Sequence, residues 1–177
     1  MVLGARAHTG AQMSHALALS AARSRIEAET AADAEGVEAL VMAAFGPGRF
    51  AKTAERLREG SRAAAGFVVR ESGRIIGSVR LWPVMVGETH ALFLGPIAVD
   101  AASRSDGLGA ELVQACVDYA RTAGIGGILL VGDPPYFGRF GFAPAPEAVL
   151  SGPVDRRRLL WLGVQVEAVR GAVSIAF

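Results

Sequence analysis

A chain of 177 residues, 51% hydrophobic and 20% charged, is long enough for one domain with a full core and too short to argue for two. That balance excludes a disordered chain, and a formal net charge of +1 gives no ground for a nucleic-acid partner. One cysteine, Cys116, excludes an internal disulfide, and no apolar run reaches the length that spans a bilayer, so a cytoplasmic protein with no membrane partner is expected.

Residues 1–24 contain no acidic group and mix small residues with Arg6, Arg23, His8 and His15. They read as a flexible N-terminal tail before one domain spanning 25–177, with Met13 a more natural beginning than Met1. Residues 16–22 are too weakly apolar for an export signal, and the histidines carry no metal-ligand pattern.

Arg25 to Glu29 alternates polar and apolar residues and predicts a first strand. Thr30 and Asp33 then have the spacing of a capped helix start, and Val37, Leu40, Val41, Ala44 and Phe45 continue at helical spacing until Gly46-Pro47-Gly48 stops them. A second short helix is expected over about Phe50 to Arg58. Ala65 to Glu71, the turn Ser72-Gly73, and Arg74 to Met85 predict a hairpin. Pro83 cannot donate to a sheet ladder, so its arm should bend there or lie at an edge.

The run Thr89 to Val99 predicts a third antiparallel strand, broken at Gly95-Pro96 by a bulge or splay. An unpaired strand edge of that kind accepts an extended amide chain as it would another strand. Next comes Asp100-Ala-Ala-Ser-Arg104-Ser-Asp106-Gly107-Leu-Gly109-Ala, a turn that opens a helix running from Gly107 to about Ala123. The first N–H groups of that helix lack partners within it, and the helix dipole adds positive charge, which together suit phosphate. Gly107 and Gly109 let a ligand approach the backbone, and Arg104 offers a charged donor. A Walker loop is excluded because the only lysine, Lys52, lies elsewhere. A dinucleotide fingerprint fails because Leu112 stands where a third glycine is required.

Leu108, Leu112, Cys116, Tyr119 and Ala123 share one face of the predicted helix, which makes Cys116 a core thiol. Gly127 to Val131 is a continuously apolar strand of the kind found in a parallel pair, with the helix as its crossover. Two further apolar runs, near Leu159 to Val166 and Ala172 to Phe177, should complete the sheet. The cluster Asp155 to Arg158 reads as a solvated turn, with contact to a ligand phosphate as a second reading.

Arg104-x-x-Gly107-x-Gly109 after a strand, followed by Gly141-Phe142, resembles the GCN5-related N-acetyltransferases, the GNAT family. The resemblance implies an α/β (α+β mixed sheet) fold of the acyl-CoA N-acyltransferase type: a mostly antiparallel central sheet, one parallel strand-helix-strand unit, and flanking helices. It also implies an acyltransferase that moves an acetyl group from acetyl-CoA to a primary amine, as a monomer or homodimer, with no metal. By that resemblance the main chain of Ile97, Ala98 and Val99 holds the pantetheine arm. The segment Arg104, Ser105, Asp106, Gly107, Leu108, Gly109 and Ala110 holds the pyrophosphate, and Phe45, Arg49 and Phe50 border the acceptor. Asp106 departs from expectation as an acid beside a phosphate, unless it caps the helix or turns to solvent.

For the chemistry, the N–H of Ile97 or Ala98 is a candidate oxyanion donor. In the family a tyrosine commonly stands four residues before the glycine of the Gly-Phe pair. Here Phe137 holds that position, which leaves Tyr136, one residue earlier, as candidate general acid or pocket wall. His90 and Glu88 are the base candidates. The competing expectation is a catalytically inactive acyl-CoA-binding module. The acceptor, a small molecule or a protein amine, stays open.

Overall fold

The computed structural model describes residues 25–48 and 53–176. The expectations for the tail 1–24 and for Arg49 and Phe50 lie outside the described residues.

The chain begins with strand β1 (Ile26–Ala28) and a single 3-10 turn (Ala31–Asp33) that leads into helix α1 (Ala34–Phe45). Thr30 and Asp33 start that helix as their spacing predicts. Asp33 accepts from the Thr30 N–H at 2.7 Å and from its hydroxyl at 2.9 Å. Arg70 forks onto the same carboxylate, with Nε at 3.0 Å, and so ties the helix start to the sheet. Gly46 ends α1 at a φ of 67°, a left-handed value that glycine adopts without strain. The expected second helix is one turn, α2 (Thr53–Arg56).

Strands β2 (Ala65–Glu71), β3 (Arg74–Val86) and β4 (Thr89–Leu94) form an antiparallel meander. Strand β5 (Ala98–Val99) continues along β3, and helix α3 (Leu108–Thr122) crosses to β6 (Gly127–Val131), which pairs in parallel with β4. Helix α4 (Pro134–Gly138) follows. The chain then adds the short β7 (Ala143–Pro144) and β8 (Ala148–Val149), and finally β9 (Leu159–Gly163) and β10 (Gly171–Ile175). The main order is β1-β2-β3-β4-β6-β9-β7, with β10 beside the far end of β3. This is the expected mixed sheet with its parallel β4-α3-β6 unit.

Pro83 lies where β3 is locally an edge, as its missing N–H suggests. The pairing with β2 stops at Leu81 and that with β10 at Val84, and between them the Pro83 carbonyl accepts from Ala176 at 3.3 Å with no N–H to return the bond.

Alternation along the strands sorts the core into two faces. One face carries Val79, Leu81, Leu92, Leu94, Ile128, Leu130 and Leu160, and packs on Leu108, Leu112, Val113, Cys116, Val117 and Ala120 of α3. Tyr119 is half-buried, and Ala123 is exposed, because the helix ends as it leaves the sheet. Burial pushes the Cys116 thiol far above its ordinary range, which fits an inert core residue. On the opposite face α1 sets Val37, Leu40 and Val41 against Val68 and Ala98, while Trp82, Val84, Phe93, Leu129 and Trp161 form a second cluster.

Candidate active site

Registers locate a break in the sheet. Leu94 faces Leu81 and Ala98 faces Ser78, so four steps on one strand oppose three on the other. Gly95 donates to Arg80 at 3.0 Å, which leaves Pro96 and Ile97 together opposite Val79. That is the predicted β-bulge. On the other side, β4 pairs with β6 at Leu92 and Phe93, and no pair follows Phe93 and Leu129. The sheet splays from that point.

Main-chain directions follow from alternation. Asp100 donates to Ile76 at 2.8 Å, so the amide of Ala98 also points toward β3, while Ile97 and Val99 turn theirs toward the splay. Of the two oxyanion candidates, Ile97 therefore has the better aim. The Ala98 side chain is buried against α1, on the far face.

The splay is a cleft of about 680 Å³. Leu94, Gly95, Pro96, Ile97 and Val99 form one wall, Leu130, Val131 and Gly132 the other, and Ala44 and Phe45 of α1 close a side. One end is the start of α3, where Gly107, Gly109 and Ala110 line the space. The segment before it is a 3-10 turn, Ala101–Asp106, closed at Gly107 with φ 74°. No side chain caps α3, so its first N–H groups stay available to a ligand. Asp106 is exposed and does not cap the helix. Leu108 turns into the core, and Ser105 and Arg104 belong to the 3-10 turn, with Arg104 lining the cleft.

Arg139 and Arg158 join Arg104 around this space. The Arg139 guanidinium lies 4.5 Å from the centre of the Tyr136 ring and its Nε donates to the Tyr136 carbonyl at 3.2 Å. Arg158 Nε donates to the Gly132 carbonyl at 3.3 Å. Three guanidinium groups at the mouth favour an anionic ligand. Arg158 comes from the charge cluster read mainly as a solvated turn, and Arg139 carried no sequence signal beyond its place before Gly141-Phe142.

Asp133 caps α4 by accepting from the Tyr136 N–H at 3.2 Å. Its neighbour rings are fixed by packing: Tyr136 meets Phe137 and Phe140 edgewise or tilted, and Phe137 meets Phe142. The Tyr136 hydroxyl lies 3.1 Å from where a Cβ on Gly109 would stand. It is thus aimed at the start of α3. His90 and Glu88 are not brought to the cleft. Both are exposed at the opposite end of β4, roughly 13 Å from Leu94 by strand rise for His90, whose carbonyl accepts from Gly126.

A second cavity, about 640 Å³, opens on the α1 face of the sheet and meets the cleft at Pro96, which lines both. Glu29, Glu38, Glu55, Arg58, Arg62, Ser78, Arg80 and Trp82 face it. These residues were missed in the sequence because they come from four separate stretches of the chain.

A sheet opened at a bulge, above a glycine turn that starts an uncapped helix, has the shape and polarity to suit an extended, phosphate-bearing ligand. The acetyltransferase (GNAT) family model matches residues 18–142, and the chain belongs to that family. It is 34% identical over 120 residues to the uncharacterised N-acetyltransferase YhbS of Escherichia coli strain K12, a match that covers 66% of this chain and 72% of the relative. The crystal structure of E. coli YhbS in complex with CoA superposes with a TM-score of 0.74 at 30% identity, covering 85% of this chain and 88% of that one. A GNAT acetyltransferase from Brucella melitensis in complex with acetyl-CoA gives a TM-score of 0.67 at 24% identity over 85% and 94%, a likeness of fold. Among the described residues no group of side chains suits a metal ion, and no helix is long and apolar enough to cross a membrane.

Proposed function

We propose that this protein transfers an acetyl group from acetyl-CoA to a primary amine. The observation that carries the reading is the splay itself, an unpaired main-chain edge at Ile97 and Val99 that leads directly to the uncapped start of α3. A pantetheine arm has the amides to pair with that edge, and a pyrophosphate has the charge to suit the helix start and the arginines beside it. The CoA and acetyl-CoA found in the similar structures support this choice of donor.

The residues divide the work as follows. Gly107 and Gly109 leave the backbone open to phosphate, with the amides of Leu108, Gly109 and Ala110 as donors and the exposed Arg104 as a countercharge. Ile97 and Val99 hold the arm through their main chain. The neutral amine nitrogen attacks the thioester carbonyl and passes a proton to water in the open cleft, the carbon–sulfur bond breaks, and the products are an amide and the CoA thiol. The Ile97 N–H opposes the charge that develops on the carbonyl oxygen, a contribution of roughly 3 to 4 kcal/mol for one such donor. Tyr136, aimed at Gly109, serves as a donor to the pyrophosphate in preference to an acid for the thiolate, whose proton then comes from water in the open cleft. His90 and Glu88 take no part.

Release of free CoA thiol, followed with a panel of amines, tests the transfer. Thiol release that requires both acetyl-CoA and an amine is the expected result. Binding of acetyl-CoA with no release beyond slow hydrolysis would instead favour the inactive acyl-CoA-binding module.

A further inference from the structure

Attack on a thioester needs a neutral amine. A primary alkylamine titrates near the lysine value of about 10.4, so only about one molecule in a few thousand is neutral at pH 7. A carboxylate that takes the ammonium proton within the site lifts that restriction. Neither His90 nor Glu88 reaches the cleft, and no residue outside the described ones carries an acidic side chain. The carboxylates that line the cleft and the second cavity are Asp133, Glu29, Glu38 and Glu55.

Three of them are engaged or outlying. Glu29 gives both oxygens to Arg80, whose Nε lies 2.9 Å from one and 3.1 Å from the other. Glu38 is exposed and accepts from another Arg80 nitrogen at 2.8 Å. Asp133 is exposed and gives one oxygen to the Tyr136 N–H at 3.2 Å. Glu55 differs. Its side chain is 13% exposed and its Oε2 pairs with Arg58, while Oε1 carries no hydrogen bond and is not sealed in the fold.

Arg58 fixes where this carboxylate stands. The guanidinium covers the Trp82 ring at 5.2 Å, and its Nη1 lies 3.1 Å from the point a Cβ on Gly95 would occupy. A side chain at Gly95 would also overlap the Trp82 ring, so the glycine lets the bulge close onto this pair. Gly95 stands two residues before Ile97, and Pro96 between them lines both the second cavity and the cleft. Leu57 packs with Trp82 on the face of the sheet opposite α3, so Glu55 and Arg58 meet the bulge from that face.

Resting on the acetyl-transfer reading above, we propose that Glu55 is the proton acceptor for the amine. The acceptor ammonium enters by the second cavity and gives one proton, through a water, to Glu55 Oε1. The lone pair so freed attacks the thioester carbonyl at the bulge. The protonated carboxyl then returns its proton to solvent, and one proton is released for each amide formed. Arg58, which holds Oε2 against the bulge, is a positioning residue. The other charged groups around Glu55 are Arg62 from the same stretch, Glu29 from the end of β1, Glu38 from α1 and Arg80 from β3. Groups of these types hold their charge between about pH 7 and pH 9.

Initial rates of CoA thiol release across that range test this on the whole protein, with propylamine, cadaverine, spermidine, agmatine and a short lysine peptide as acceptors. For the best of them, kcat/KM of the parent should stay nearly level. Glu55→Gln should lose about a hundredfold at pH 7 and then gain about tenfold per pH unit as neutral amine accumulates, with thermal stabilisation by acetyl-CoA retained. Glu55→Asp should keep the level profile at a lower kcat. Parallel profiles for the parent and Glu55→Gln overturn the assignment, because a merely structural loss scales the rate equally at every pH. Turnover of none of these amines by a parent that acetyl-CoA stabilises also overturns it while sparing the cofactor cleft. Absence of that stabilisation overturns the acetyl-transfer reading beneath it. If Glu55→Gln does not fold, Glu55→Asp decides: a level profile with lowered kcat supports the role, and a rising one overturns it.

Discussion

Tyr136 and Asp106 are the residues whose sequence positions say least about their roles. The tyrosine stands beside the family's usual acid position, yet its ring is packed on Arg139, Phe137 and Phe140 and its hydroxyl faces Gly109. Packing among four side chains set that direction, and spacing along the chain could not reveal it. Tyr136→Phe should therefore raise the KM for acetyl-CoA several-fold, about what one hydrogen bond to a charged group is worth, and leave kcat and its pH profile nearly unchanged. A large fall in kcat with altered alkaline dependence would return the acid role to it. Asp106 is exposed next to a turn suited to phosphate. Asp106→Asn should lower the KM for acetyl-CoA by about two- to five-fold at low salt, and the gain should fade as salt is added. Titration by calorimetry at two ionic strengths would measure both effects.

At the scale of elements, the bulge and α3 do different work. Pro96 is the extra residue that lets β4 splay from β6, and deleting it would restore one-to-one pairing between Leu94–Leu81 and Ala98–Ser78. That deletion should leave the sheet folded by far-ultraviolet circular dichroism but weaken acetyl-CoA binding by roughly tenfold or more, the worth of one or two main-chain hydrogen bonds. Leu112, fully buried between α3 and the sheet, makes no contribution to ligand contact by contrast. Leu112→Ala should cost about 2–5 kcal/mol of stability in urea unfolding, with acetyl-CoA affinity retained under folding conditions. These elements were legible beforehand, because Gly95-Pro96 cannot continue a regular ladder and the α3 face repeats at helical spacing. The short strands β7 and β8 were not, since two residues in a loop rich in proline carry no periodicity. Nor was the place of Pro83, which depends on where β2 begins and β10 ends.

For the molecule as a whole, the second cavity was hidden in the sequence for a physical reason. Glu29, Glu55, Arg58, Ser78 and Arg80 are each ordinary in their own segments, and only the sheet brings them to one wall. Another long-range tie bears on stability. The Arg70 guanidinium, and then the Thr30 N–H, hold the Asp33 carboxyl well below the usual carboxylate range. A carboxyl that binds its proton less readily when folded stabilises the fold above its unfolded pKa of about 4 and loses that contribution as pH falls further. Asp33→Asn should be less stable at pH 7, and its stability should fall less steeply than that of the parent between about pH 4 and pH 2, the window below that unfolded pKa. Urea midpoints across that range give the comparison.

The most direct test of the account is thermal unfolding with and without acetyl-CoA, on the parent chain and on Gly107→Glu. Saturation at one hundred times the dissociation constant adds about 2.7 kcal/mol, a rise of roughly 5 to 10 °C for a domain of this size. Glutamate at a position with φ 74°, at the mouth of the phosphate turn, should abolish that rise. A shift in the parent that Gly107→Glu removes is the predicted result. No shift at millimolar acetyl-CoA, or an equal shift in both proteins, would contradict the cleft as the cofactor site.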